Sequence, residues 1–174
     1  MKTILVMRHA QAGWSRYISS DFERPLNEKG LKDAPLIGKF IKEIKVIPDL
    51  ILSSPAKRAR QTADTVAQNC GFQGEISFVK EFYSGDELVV RASMADLSDT
   101  VNTVLIVGHN PTLEDLISAM TSDGSFRINL ETAALSCMVP SIKKWAEIEN
   151  KHSVLLWLVT PELARNLVVK DGVQ

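Results

Sequence analysis

Apolar and polar positions follow two rhythms along this chain, and the rhythms take turns. It opens on an uninterrupted β-favouring run, Thr3-Ile4-Leu5-Val6-Met7, which reads as a buried parallel strand because no position is reserved for solvent. A polar, aromatic-containing stretch from Gln11 to Pro25 follows, too long for a simple turn and of the kind that forms functional loops. From about Glu28 the period becomes helical, placing Leu31, Ala34, Ile37, Gly38, Phe40, Ile41 and Ile44 on one face. Asn27 is well placed as its N-cap, and Pro35 predicts either a later start or a kink.

The alternation repeats. Asp49–Ser53 reads as a second strand, ended by Ser54-Pro55, and a helix runs from about Lys57 to Asn69 with Gly71 closing it. Ile76–Val79 alternates like a short, less buried strand, and a helix near Glu87–Leu97 follows, with Asp86 as N-cap. Thr103-Val104-Leu105-Ile106-Val107 is a third buried strand, followed at once by Gly108-His109-Asn110-Pro111 and a helix from Pro111 to about Met120. The last third changes character: Ala134–Val139, Lys144–Glu149 and Ser153–Val159 read as strands with no helix between them. The pattern predicts one α/β domain over residues 1–174. It is a three-layer sandwich with a mostly parallel central sheet, a mixed C-terminal edge and helices on both faces.

Composition narrows the class. The 174 residues are 45% hydrophobic and 24% charged, ordinary values for a globular chain, and the formal net charge of −1 gives no bulk field for nucleic acid or an acidic membrane. No apolar run approaches the roughly 20 residues of a membrane span, and Lys2 is followed by too short an apolar stretch before Arg8 for a signal peptide. Cys70 and Cys137 are the only cysteines. They lie far apart without metal-ligand spacing, so free buried thiols in a reducing compartment, the cytoplasm, are expected. No heptad pattern or long apolar stripe demands a second copy, and a monomer is expected.

Chemistry-bearing residues gather at strand ends. The first strand leads into Arg8-His9, the second into Ser54-Pro55-Ala56-Lys57-Arg58, and the third into Gly108-His109. If these strands are parallel neighbours, their carboxyl ends open on one crevice. Singly, each signal is bland: an Arg-His pair is usually surface decoration, Arg58 a solvated helix charge, and Gly-His-Asn-Pro a turn and helix start. Together they suit phosphoryl transfer. Two guanidiniums can grip the equatorial oxygens bidentately. One imidazole can attack phosphorus, and the second can stabilise the transferring oxygens.

The quoted segments resemble the histidine phosphatase superfamily, the phosphoglycerate-mutase-like fold. Arg8-His9-Ala10 is similar to its RHG/RHA signature, and Pro25-Leu26-Asn27-Glu28-Lys29-Gly30 to its L-[ST]-x-x-G segment with Asn27 in the Ser/Thr place. Ser54–Ala63 is similar to its S-P-x-x-R-A-x-Q-T-A helix, and Val107–Pro111 to its second-histidine motif. The resemblance runs from residue 3 to about 160. It implies a phosphatase in which His9 is the phosphorylated nucleophile, Arg8, Arg58 and His109 complete the phosphate pocket, and no metal or other cofactor is needed. Glu23-Arg24-Pro25-Leu26, Thr132-Ala133-Ala134 and the short chain are similar to the SixA-type branch, which acts on phosphohistidine in signalling proteins. In that branch Arg24 would bring a further arginine to the pocket.

Two departures keep alternatives open. Many members carry a general-acid carboxylate in the region that is here Val79–Asp86, and Glu81 stands either as that acid or as a solvated strand-end charge. Ser15 replaces an asparagine common in the larger sugar-phosphate enzymes and would still hydrogen-bond phosphate, with a shorter reach. The leading expectation is therefore a phosphatase acting on a phosphohistidine-bearing protein. The alternatives are a small-molecule phosphomonoesterase using Glu81, with Gln11–Pro25 as a lid, and a silent phosphate-binding module. Trp14 is expected to pack under its loop rather than line the pocket mouth, and Trp145 and Trp157 to pack in the core or at the sheet edge. Lys57 and Arg60 are expected to meet solvent, and His152 to lie in an exposed turn.

Overall fold

A computed structural model describes residues 1–150 and 152–168. Its elements in chain order are β1 (Thr3–Arg8), α1 (Glu28–Glu43), β2 (Leu50–Ser53), α2 (Lys57–Cys70), β3 (Ile76–Phe78), α3 (Glu87–Ala95), β4 (Thr103–Gly108), α4 (Thr112–Thr121), β5 (Leu135–Pro140), β6 (Ser153–Val159) and α5 (Pro161–Val168). The strands form one sheet in the order β3-β2-β4-β1-β5-β6. The first four are mutually parallel, whereas β5 runs antiparallel to β1, and β6 antiparallel to β5. The mostly parallel sheet with a mixed C-terminal edge is the architecture expected.

The continuous apolar runs are explained by the two faces of the sheet. Leu5 and Met7 of β1, Ile51 of β2, and Leu105 and Val107 of β4 pack under α1, α2 and α5. The residues between them, Ile4, Val6, Leu52, Val104 and Ile106, meet α3 and α4 on the opposite side. Each such side chain contributes about 1.5–3 kcal/mol by leaving water, so a polar residue at any of these positions would be costly.

Local chemistry sets the helix ends. The Asn27 side chain accepts the Gly30 amide, and the Asp86 side chain accepts that of Val89. Helix α1 starts at Glu28, so Pro35 does not delay it but lies inside it. The carbonyl Pro35 leaves unbonded is that of Leu31, whose side chain is exposed rather than on the buried face. Gly30 is required by space: a Cβ there would sit 2.2 Å from the Gln11 carbonyl oxygen. That close approach seats α1 against the chain leaving β1.

Two segments differ from the sequence reading. Lys144–Glu149 is not a strand; a 3-10 turn spans Trp145–Asn150. Trp145 and Ile148 are buried while Ala146 and Glu147 face out, an i, i+3 spacing that suits a threefold helix. The Trp145 indole N–H donates to the Val101 carbonyl at 2.8 Å. Helix α5 was not anticipated, although Thr160-Pro161-Glu162 carries a start signal: the Thr160 hydroxyl accepts the Leu163 amide, and Pro161 stands in the first turn. Cys70 and Cys137 are free and buried, and His152 is exposed. Among the described residues, no helix is long and apolar enough to cross a membrane.

Candidate active site

Strand order brings the predicted residues together. In β2-β4-β1, Ser53 pairs with Val107 and Arg8 with Gly108. The next residues of the three strands, Ser54, His109 and His9, therefore leave the sheet side by side. The His9 amide donates to the Gly108 carbonyl at 3.0 Å, extending the ladder to the site. Ala133, held at φ 61°, donates its amide to the carbonyls of Arg8 and His9 from the other side. A backbone this pinned over-determines a conformation that costs energy for a side-chain-bearing residue.

His9 is oriented as a neutral base. Its Nδ1 lies 2.8 Å from the Ala10 carbonyl oxygen, which can only accept, so Nδ1 carries the proton. Nε2 is then bare, and the Arg58 Nε–H donates to it at 3.2 Å. Burial, reinforced by the charges of Arg58, Arg8 and Arg24, lowers the imidazole to about 4. Ala10 is itself fixed: its amide donates to the Thr62 hydroxyl at 2.9 Å, and that hydroxyl donates to the Arg58 carbonyl at 2.7 Å. One helical turn of α2 thus positions both Arg58 and the residue that sets the His9 tautomer.

Arg58, almost fully buried, points its Nε/Nη2 edge at two partners. One is His9 Nε2; the other is Asp21 Oδ2, at 2.9 Å from Nη2. The Asp21 backbone carbonyl also accepts from Nη1 at 2.7 Å. The Asp21 carboxylate receives Arg24 Nη1 at 2.9 Å and the Tyr83 hydroxyl at 3.3 Å. Arg24 first, and Arg58 after it, hold this carboxyl below the usual carboxylate range. A carboxylate therefore takes the edge of Arg58 that would serve an anion attached to His9 Nε2.

His109 completes the cluster, its ring centroid 5.0 Å from that of His9. Burial, then the neighbouring His9 and Arg58, lowers it to about 3. Its Nε2 lies 2.8 Å from the Ser54 hydroxyl, and the Tyr83 ring meets it edge-on at 5.8 Å. Arg8 Nη1 donates to the Leu130 carbonyl at 3.1 Å, which the Asn110 amide group also reaches at 2.9 Å. Asn110 is thus a brace beside His109. Two nitrogens, Arg8 Nε and His109 Nδ1, are buried without a protein partner, as groups waiting for an acceptor would be.

Not every candidate joins the cluster. Ser15 is exposed and its hydroxyl only accepts the Tyr17 amide. Glu81 is exposed, and its side chain makes no hydrogen bond or ion pair to a pocket residue among the described contacts. Tyr83, two residues on in the same 3-10 turn, is the one that faces His109 and Asp21. Trp14 is not packed under its loop: it is 62% exposed, with the Arg24 guanidinium 4.8 Å above its ring. Lys57 and Arg60 are exposed as expected, Arg60 lying over Phe78. Ser54, Thr62 and Gln61 were visible as motif letters without roles; Gln61 accepts the Leu26 amide at 2.8 Å and ties the loop to α2. Asp21 carried no signal beyond its place between a loop and Arg24. Among the described residues, no three of His, Cys, Asp or Glu come together as metal ligands.

The model of the histidine phosphatase superfamily (branch 1) matches residues 4–82. An uncharacterised chloroplastic protein of Arabidopsis thaliana is 30% identical over 147 residues, 77% of this chain, which spans 65% of that protein's length. The phosphohistidine phosphatase SixA of Escherichia coli is 29% identical over 119 residues, 67% of this chain and 73% of that one. A structure of the protein histidine phosphatase SixA complexed with tungstate superposes with a TM-score of 0.81 at 25% identity, covering 95% of this chain and 99% of that chain.

Proposed function

The chain belongs to the histidine phosphatase superfamily, and within it we propose a phosphohistidine phosphatase of the SixA kind that works on a phosphorylated protein through a phosphohistidine at His9. The observation that carries this reading is the state of His9: neutral, its Nδ1–H tied to Ala10, its bare Nε2 against Arg58 and beside His109.

The Nε2 lone pair attacks phosphorus as the substrate's N–P bond breaks, and the departing imidazole nitrogen takes a proton from solvent. Water then attacks the phosphoryl group on His9, the new N–P bond breaks, inorganic phosphate leaves and Nε2 is bare again. Arg58, Arg8 and Arg24 neutralise the equatorial oxygens, and His109 and Arg8 Nε supply the buried nitrogens that still lack partners. The incoming phosphoryl group takes over the Arg58 Nε/Nη2 edge held by both His9 Nε2 and Asp21, freeing the lone pair, and the 44% exposed Asp21 side chain has room to turn away. A phosphoramidate's leaving nitrogen is readily protonated, which fits a site where, among the described residues, the Glu81 side chain makes no hydrogen bond or ion pair. The alternative, a small-molecule phosphomonoesterase with Glu81 as general acid, needs that exposed carboxyl to reach a leaving oxygen. Trp14 stands 62% exposed under the Arg24 guanidinium, a rim open enough for a protein surface. Two buried free thiols suit a protein at work in a reducing compartment such as the cytoplasm.

The test is a substrate panel. Purified protein and His9→Ala are offered a phosphohistidine-bearing protein, an aryl phosphate and several sugar phosphates. Release of phosphate from the phosphohistidine protein, lost in His9→Ala, is expected. Turnover of sugar phosphates with none of phosphohistidine overturns the substrate class, and equal activity of His9→Ala overturns the mechanism.

A further inference from the structure

Ser54 has no chemistry of its own in the scheme above, yet it is wholly buried against the second histidine. Its hydroxyl oxygen accepts the Ala56 amide at 3.3 Å and lies 2.8 Å from His109 Nε2. A neutral imidazole holds one proton, and the nitrogen that carries it decides what the ring can do. Two placements are possible. With the proton on Nε2, the ring donates to Ser54, the Ser54 O–H has no other acceptor among the described residues, and the buried Nδ1 lone pair has no donor. With the proton on Nδ1, the Ser54 O–H donates to Nε2 while its oxygen keeps the Ala56 amide. One group is then left over, an Nδ1–H.

A phosphoryl group offers only acceptor oxygens, so the second placement is the one it completes, whereas the first sets a lone pair against its charge. We propose that Ser54 is a positioning residue: its hydroxyl donates to Nε2 of His109 and so holds the proton on Nδ1, the nitrogen that donates to the transferring phosphoryl group. His9 and His109 then carry the same tautomer for opposite purposes. Ala10 keeps the His9 proton on Nδ1 so that Nε2 can attack, and Ser54 keeps the His109 proton on Nδ1 so that Nδ1 can donate. The inference rests on the phosphatase reading for the role of His109, but the tautomer can be read without any substrate.

The experiment is a long-range proton–nitrogen NMR correlation on phosphate-free protein labelled at histidine with nitrogen-15, near neutral pH, with His109 assigned by its loss in His109→Gln. Nδ1 protonated and Nε2 bare is expected; a proton on Nε2 overturns the proposal, with no variant needed. In Ser54→Ala the preference is lost and kcat on an aryl phosphate falls about tenfold, the scale of one hydrogen bond, with KM moving less. Ser54→Thr, which keeps the hydroxyl, restores the Nδ1–H pattern. A Ser54→Ala protein with wild-type tautomer and kcat overturns the role of Ser54. An Nδ1–H His109 in a protein that hydrolyses nothing leaves the tautomer standing and overturns the phosphatase reading alone; an Nε2–H His109 in an active phosphatase does the reverse.

Discussion

The floor and the rim of the cluster are built by different means. The floor is Arg8, His9, Ser54, Arg58 and His109, which leave three adjacent parallel strands or open the following helix, and main-chain bonds from Gly108, Ala133 and Ala10 hold them. The rim is the loop carrying Trp14, Asp21 and Arg24 and the 3-10 turn carrying Glu81 and Tyr83. There most of the bonds run between side chains and meet at one carboxylate, Asp21, which touches Arg24, Arg58 and Tyr83. The difference separates two tasks. Chemistry that tolerates little displacement is tied to the sheet, while access to it is held by contacts a ligand can exchange.

The comparison breaks most visibly at the nucleophile. His9→Ala should lower turnover on the order of 10³-fold or more while the fold persists, measured by phosphate release and circular dichroism. Arg58→Lys should cost about 10²-fold, because an ammonium cannot serve Nε2 and an anion from one planar edge; near-normal rates would make Arg58 a simple charge.

Acid should weaken the floor selectively. His9 and His109 titrate near 4 and 3 when folded, against an ordinary value of 6.5. Between these limits the unfolded chain binds protons that the folded one refuses. Their contribution to stability is thus complete above about pH 6.5 and is lost as pH falls toward 4 and then 3, on the order of 1 kcal/mol per pH unit for each histidine. Urea unfolding in phosphate-free buffer should show this slope, and His9→Ala should make it shallower.

At the rim, effects are smaller and change sign. Asp21→Asn removes the carboxylate that competes for Arg58, so inhibition by tungstate should tighten about tenfold. Weaker inhibition would show instead that Asp21 is needed to aim the arginines. Glu81→Gln should stay within about twofold on every substrate, as an exposed charge without side-chain partners among the described residues does; a tenfold loss confined to alkyl phosphates would return Glu81 to the role of acid.

Legibility in the sequence follows the same division. Arg8, His9, Arg58 and His109 could be assembled from the chain because each follows an apolar strand run directly or, for Arg58, opens the helix after it, and parallel neighbours must bring such exits together. The rim could not be assembled that way. Asp21 gains its meaning only when residues 24, 58 and 83 arrive from three segments, and no periodicity encodes that meeting. Ser15 and Trp14 sit beside the Arg-His pair in sequence, yet the loop carries both outward into solvent. Lys144–Glu149 reads as a strand only until the spacing of its apolar residues is weighed: Trp145 and Ile148 are three apart, not two.

The central claim is that His9 Nε2 is the atom that takes the phosphoryl group, and rapid chemical quench tests it most directly. Protein mixed with a phosphorus-32-labelled phosphohistidine protein and stopped in base within the first turnover should carry a base-stable, acid-labile label on the peptide containing His9, absent in His9→Ala. Turnover of that substrate with no label on that peptide, or a label that persists in His9→Ala, would contradict it.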